Sequence, residues 1–170
     1  MNAAENPSSV SAAGLRGVTR VAARCPAGHP AVVECYPLRR RGRRAPEPFP
    51  TLYWLVCPML DRAVAGLERD GAVAEVDALL ARDPEMAGAL RDAHREYADR
   101  RWAALTEVDR AWVEENGLAG AFRGRGVAGI AFGEAEGGAK CLHAHLAHHL
   151  VSGNPIGAWV ERRFGIRACA

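Results

Sequence analysis

The chain has no long apolar run, no paired-cysteine knuckle, no internal repeat and almost no net charge, and each lack narrows the classes open to it. No stretch approaches the roughly 18 unbroken apolar residues that would span a bilayer. With 22 Lys+Arg against 20 Asp+Glu the net charge is +2, which gives no global pull toward nucleic acid or an anionic membrane. The leading MNAAENPSSVSAAG has neither the basic n-region nor the apolar h-region of a secretory signal, so a cytoplasmic protein is expected. The five cysteines are an odd count, and in a reducing compartment they are free thiols or metal ligands before they are disulfides. Cys25 and Cys35 are placed to sit opposite each other in a hairpin and to pair only under oxidation.

What is present reads as an ordinary folded domain, with 49% hydrophobic and 25% charged residues over 170 positions. Residues 1–15 are small and polar and are expected to be a disordered lead to one globular domain over 16–170. GVTRVAA (17–23) and AVVECY (31–36) lean to strands joined by the irregular RCPAGHP, and TLYWLVC (51–57) predicts a third, buried strand. Between them, PLRRRGRRAPEPFP is expected as an exposed loop. Pro58 opens a helix that Gly71 ends, and AVAEVDALLARD predicts a second. Asp83 caps and Pro84 opens a long third helix running to Asn116, with Met86, Leu90, His94, Tyr97, Leu105, Val108 and Trp112 as its apolar stripe. Eight glycines mark 117–138 as an irregular loop, and two further helices close the chain. The expected class is α+β, predominantly helical: about three N-terminal strands packed with about five helices.

The chemistry concentrates in AKCLHAHLAH (139–148), one cysteine and three histidines in ten positions. At 100° per residue, Cys141, His145 and His148 fall within about 60° of one another, separate from the Leu142, Leu146 and Leu150 stripe. Cys141 opens the helix, where the macrodipole and Lys140 favour a thiolate. Two more cysteines precede prolines at element boundaries, Cys25 in RCPAGHP and Cys57 in WLVCPML, and a rigid backbone there presents sulfur well. The expected metal ligands are therefore Cys25, Cys57, Cys141 and His145, with His143 and His148 as acid–base groups. A closed Cys3His set points to structural zinc, three thiolates with an open iron to an iron–sulfur cluster, and a metal-free thiol core is the third possibility.

Other signals are weaker. GRGVAG (124–129) fits the dinucleotide glycine string but has no strand before it and no acidic residue about 20 positions on. Arg123, Arg125 and Lys140 around the glycine-rich segment are candidates for holding a small anionic ligand. RRRGRR has no interleaved aromatics, so nucleic acid is not expected. His94 and Tyr97 read as core residues with a hydrogen-bonded edge, and Thr51, Tyr53 and Asn154 as pocket-lining candidates. The function expected is a metalloprotein, either an enzyme on a small anionic substrate or a non-catalytic module in which metal or thiols hold the fold and a charged surface meets a protein partner.

RCPAGHPAVV, PFPTLYWLVCP, GLERDGAV, AHREYADRR and KCLHAHLAH followed by GNPIG, in that order, resemble a bacterial family filed as domain of unknown function 501, over roughly residues 18–163. The resemblance implies that Cys25, Cys57, Cys141, His143 and His145 belong to the family pattern, whereas Cys35 and Cys169 do not. It supplies no activity.

Overall fold

RCPAGHP reverses the chain as its prolines and glycine imply. Gly28 takes a positive φ of 84° at the tip, its N–H donates to the Cys25 carbonyl at 2.8 Å, and the Cys25 N–H donates to that of His29 at 2.9 Å. The flanking strands, β1 (Val18–Arg24) and β2 (Pro30–Cys35), pair antiparallel with Val21 opposite Val33. The computed structural model describes residues 15, 17–42, 44–133 and 138–165. Cys169 and all of the expected disordered lead except Leu15 lie outside the described residues.

Within the described chain, β3 (Leu38–Arg39) and β4 (Glu47–Pro48) form a small ribbon inside the arginine segment, where a plain loop was expected. The ribbon uses up much of that segment's charge. Arg39 stacks on Phe49 at 3.6 Å, Arg41 meets Glu47 at 2.9 Å and Arg40 pairs with Asp109. The third strand, β5 (Tyr53–Leu55), completes the sheet in the order β1–β2–β5, all antiparallel. It is shorter than TLYWLVC because the Leu52 N–H is taken by the Tyr97 hydroxyl at 2.7 Å instead of a strand neighbour. The central strand β2 is covered on both faces, Val32 against the helices and Val33 with Cys35 against Val18, Val21 and Trp54, which explains its nearly unbroken apolar run.

Seven α-helices follow: α1 (Pro58–Arg69), α2 (Ala72–Arg82), α3 (Pro84–Ala103), α4 (Glu107–Glu115), α5 (Ala119–Arg123), α6 (Leu142–Ser152) and α7 (Pro155–Phe164). The class is α+β and predominantly helical, as expected, with two more helices than expected. The long third helix divides at Leu105. Thr106 there accepts the Asp109 N–H at 3.2 Å as the N-cap of α4, and its own N–H is held by the Tyr36 hydroxyl at 3.0 Å. Val108, assigned to the apolar stripe, is consequently 77% exposed. The glycine-rich segment is also more ordered than a loop: it holds α5 and a 3₁₀ turn at Val127–Gly129. No helix among the described residues is long and apolar enough to cross a membrane.

α6 lies at the centre of the packing, against β5, β2, β1, α1, α7 and the 3₁₀ turn. Its contact with α7 is so close that a Cβ at Gly157 would collide with the His149 side chain and the His145 carbonyl. Arg101 of α3 anchors the opposite side. Although its side chain has no exposed surface, its partners are the backbone carbonyls of Pro50, Phe122 and Arg125, the Pro50 contact at 3.0 Å. Burial pulls the guanidinium down to about 10, so it stays charged at neutral pH. Replacing it with an unbranched apolar chain strips three carbonyls of their donor, that of Phe122 being fully buried. Arg101→Met is expected to lower unfolding stability by about 3 kcal/mol, read as a lower urea midpoint at constant slope. An unchanged or higher midpoint would mean that desolvating the guanidinium cancels its hydrogen bonds.

Candidate metal centre

The histidines of α6 fall into two environments. His145 and His148 are completely buried, whereas His143 and His149 lie at the surface and are half-covered. Asn154, the N-cap of α7, fixes the protons on the buried pair. Its side-chain oxygen accepts the Ile156 and Gly157 N–H groups at 3.0 and 3.1 Å, so its amide nitrogen faces the other way. That nitrogen donates to His148 Nδ1 at 3.3 Å, which leaves the His148 proton on Nε2, donated to Glu96 at 2.7 Å. His145 Nδ1 lies 3.2 Å from the Asn154 oxygen and therefore carries the proton of that ring. His94 accepts the Val127 N–H at Nδ1, 3.1 Å away, with its ring 5.8 Å from that of His145. These rings form a polar core. Burial, with His94 beside it, drives His145 down to about 3, and burial also lowers His148 against the pull of Glu96. His148, expected as an acid–base group, is enclosed between Tyr53 and Tyr97 with both nitrogens committed.

The surface histidine has different company. Cys141 caps α6 in an extended conformation, φ −150° and ψ 111°, so the helical projection that grouped it with His145 does not apply to it. The sulfur falls beside His143 instead. Glu68, in the last turn of α1, accepts the Leu142 N–H at 2.7 Å and stands 3.2 Å from His143 Nδ1. His143 Nε2 faces the Asp61 carbonyl at 3.2 Å and the Asp61 carboxylate at 3.6 Å. The Cys141 hydrogen bond lifts His143 to about 9, with burial opposing and Glu68 adding to the rise. Cys141, His143 and Glu68 offer sulfur, nitrogen and oxygen within 4.8 Å of one another, the one such group of ligand atoms among the described residues.

The four ligands expected from the sequence do not form such a group among the described residues. Cys25 and Cys57 do converge, but into an apolar cluster with Leu52, Tyr53, Tyr97 and Ala147. His145 turns toward Asn154, and Cys141 toward Glu68. Cys35 is the core thiol the sequence indicated, its thiol pushed up to about 11 mainly by burial. It forms no disulfide with Cys25, because the hairpin register places the two at opposite ends of the β1–β2 pair.

A cavity of about 550 Å³ opens beside the three ligands. Lys140, Cys141, His143 and Asp61 line one part of it, and Pro50, Trp54, Leu55, Ala128 and Ala144 line much of the rest. Thr51 and Tyr53 also line it, as the sequence indicated, whereas Asn154 is buried at the start of α7. Of the three basic residues expected at an anion site, only Lys140 lines the cavity. Arg123 lies over Trp102 at 5.2 Å, and Arg125 donates to the Gly129 carbonyl at 3.3 Å. Lys140 and Ala128, at φ 52° and 57°, are the two non-glycine residues with positive φ in the described chain, and both line this cavity. Strained backbone of this kind concentrates at functional sites.

Glu68 is the residue sequence reasoning missed. One signal marked it: a carboxylate in the last turn of a helix opposes the macrodipole, and here the N-terminus of α6 compensates it. The family model described as "Protein of unknown function (DUF501)" matches residues 21–162. No curated protein and no solved structure matches the chain.

The buried neutral rings make stability pH-dependent. The folded state keeps His145 and His148 unprotonated, while the unfolded chain takes up protons near pH 6.5. The contribution of these two rings is therefore full above about pH 6.5 and falls as pH drops, and for His145 the loss continues to about 3; the raised His143 acts in the opposite sense only above about pH 6.5. Each ring adds a slope of about 1.4 kcal/mol per pH unit within its window. Urea midpoints measured from about pH 7 to about pH 5 are expected to fall, and less steeply in His148→Gln; a flat profile would mean the rings are protonated in the fold.

Proposed function

We propose that this chain, which belongs to the DUF501 family, is a zinc protein whose ion is held by Cys141, His143 and Glu68 and keeps a position open to the neighbouring cavity. The observation that carries the reading is the convergence of one sulfur, one nitrogen and one oxygen ligand within 4.8 Å at the cavity wall. The donor chemistry supports zinc, which accepts all three atom types, over an iron–sulfur cluster, which draws on several thiolates. Three protein ligands with a fourth position free is the pattern of catalytic rather than structural zinc. An ion there acts as a Lewis acid toward an oxygen donor in the cavity. The protein's own residues orient the site: Glu68 anchors the start of α6, the Asp61 carbonyl fixes the His143 ring, and Lys140 supplies positive charge at the rim. The reading is that of an enzyme acting on a small molecule.

A second reading rests on the Cys141–His143 hydrogen bond. Without metal, that cysteine hydrogen-bonded to an imidazole at a helix N-terminus has the placement of a nucleophile of the kind used in covalent catalysis.

Metal analysis of protein purified in the presence of zinc separates these readings. One zinc per chain is expected, lost in Cys141→Ser and His143→Asn and bound at least about tenfold more weakly in Glu68→Gln. Cys25→Ala and Cys57→Ala are expected to keep the ion, whereas the four-ligand set read from the sequence requires them to lose it. Zinc-free protein whose Cys141 is alkylated rapidly, and slowly in His143→Asn, would overturn the metal reading in favour of the nucleophile.

A further inference from the structure

Resting on that reading of the site, we infer that the cavity takes an amphipathic monocarboxylate, with an acyl or aryl body on the apolar wall and its carboxylate beside Lys140 and Cys141. The size fits, since about 550 Å³ lies in the range of sites that enclose small organic ligands. The wall decides the body. Its side chains are mainly Pro50, Trp54, Leu55, Ala128 and Ala144, with the Thr51 hydroxyl and the Tyr53 ring beside them, and three of its backbone carbonyls are already engaged. Arg101 holds the Pro50 carbonyl at 3.0 Å, the Trp54 indole N–H holds that of Thr51 at 3.2 Å, and Arg125 holds that of Gly129 at 3.3 Å. Trp54 is itself fixed by stacking on Phe49, with ring centroids 5.7 Å apart. This wall is preformed and has little left to offer a polar substituent, so the group lying on it is apolar.

The rim decides the head. The charged groups facing it are Lys140, His143, Asp61 and Glu68. Both carboxylates are engaged with the His143 ring, Glu68 at 3.2 Å and Asp61 at 3.6 Å, and Glu68 accepts the Leu142 N–H as well. Lys140 forms no ion pair among the described residues, and its strained φ of 52° holds it at the rim. Lys140 is thus the rim cation without a carboxylate at ion-pair distance among the described residues, and it is the group placed to meet one negative charge. A phosphoester or nucleotide needs several donors converging on its oxygens, and the two arginines that might have supplied them are turned away, onto Trp102 and onto the Gly129 carbonyl.

Titration calorimetry on the full chain tests this with octanoate, acetate and octylamine, each on zinc-loaded and zinc-free samples of measured metal content. Octanoate is expected to bind at least about a hundredfold tighter than acetate, since each buried methylene is worth about fourfold. It is also expected to bind about tenfold tighter than octylamine. Lys140→Gly suits the positive φ while removing the ammonium, and should weaken octanoate about fivefold without affecting octanol. Ala144→Trp should fill the cavity and abolish octanoate binding. Octanoate binding no tighter than acetate, or equal affinity for octanoate and octylamine, or indifference to Lys140→Gly, overturns the inference whether or not zinc is present. Failure of the protein to take up zinc when loaded, with octanoate bound as expected, overturns the metal reading alone.

Discussion

The buried guanidinium of Arg101 holds the two halves of the molecule in register. It joins α3 to the loop before β5 and to the glycine-rich segment, and its partners are backbone carbonyls. A carbonyl carries no sequence identity, so this contact constrains where the backbone passes rather than which side chains it bears. Two of the segments it fixes, the Pro50 end of the sheet and the stretch leading to Ala128 and Gly129, become walls of the cavity. The site therefore depends on a charge that never touches it.

A second buried network does the same for α6. Asn154 caps α7 and orients His145 and His148 at once, so α6 and α7 are set against each other by one amide. With those rings inside and neutral, His143 remains outside at the cavity edge. A histidine-rich helix is thus divided into a structural face and a chemical one, and the division follows burial rather than residue type.

The elements were largely legible from residue patterns. Pro58, Asp83, Pro84 and Asn116 sit at the helix boundaries their chemistry implies, and His94 and Tyr97 are buried with a hydrogen-bonded edge. Helical periodicity also placed His145 and His148 on one face. The errors arose where local pattern competes with a distant partner. A helical stripe continued past Leu105 on paper, yet Tyr36 and Thr106 together end the helix there. Cys141 was projected onto a helix whose geometry it does not share, which paired it with His145 in place of His143. Cys25 and Cys57, read as metal ligands, both belong to one apolar cluster.

The sequence by itself determined the class of fold, the helix carrying Cys141 and His143, and the presence of Lys140 beside them, because caps, prolines and periodicity act within a few residues. The packing of distant segments is what brings Glu68, more than seventy residues away on α1, to Cys141 and His143 and leaves Arg123 and Arg125 outside the cavity lining. Those outcomes depend on how α1 and α6 pack and on which carbonyls claim each guanidinium, and such contacts between distant segments leave no local pattern in the chain.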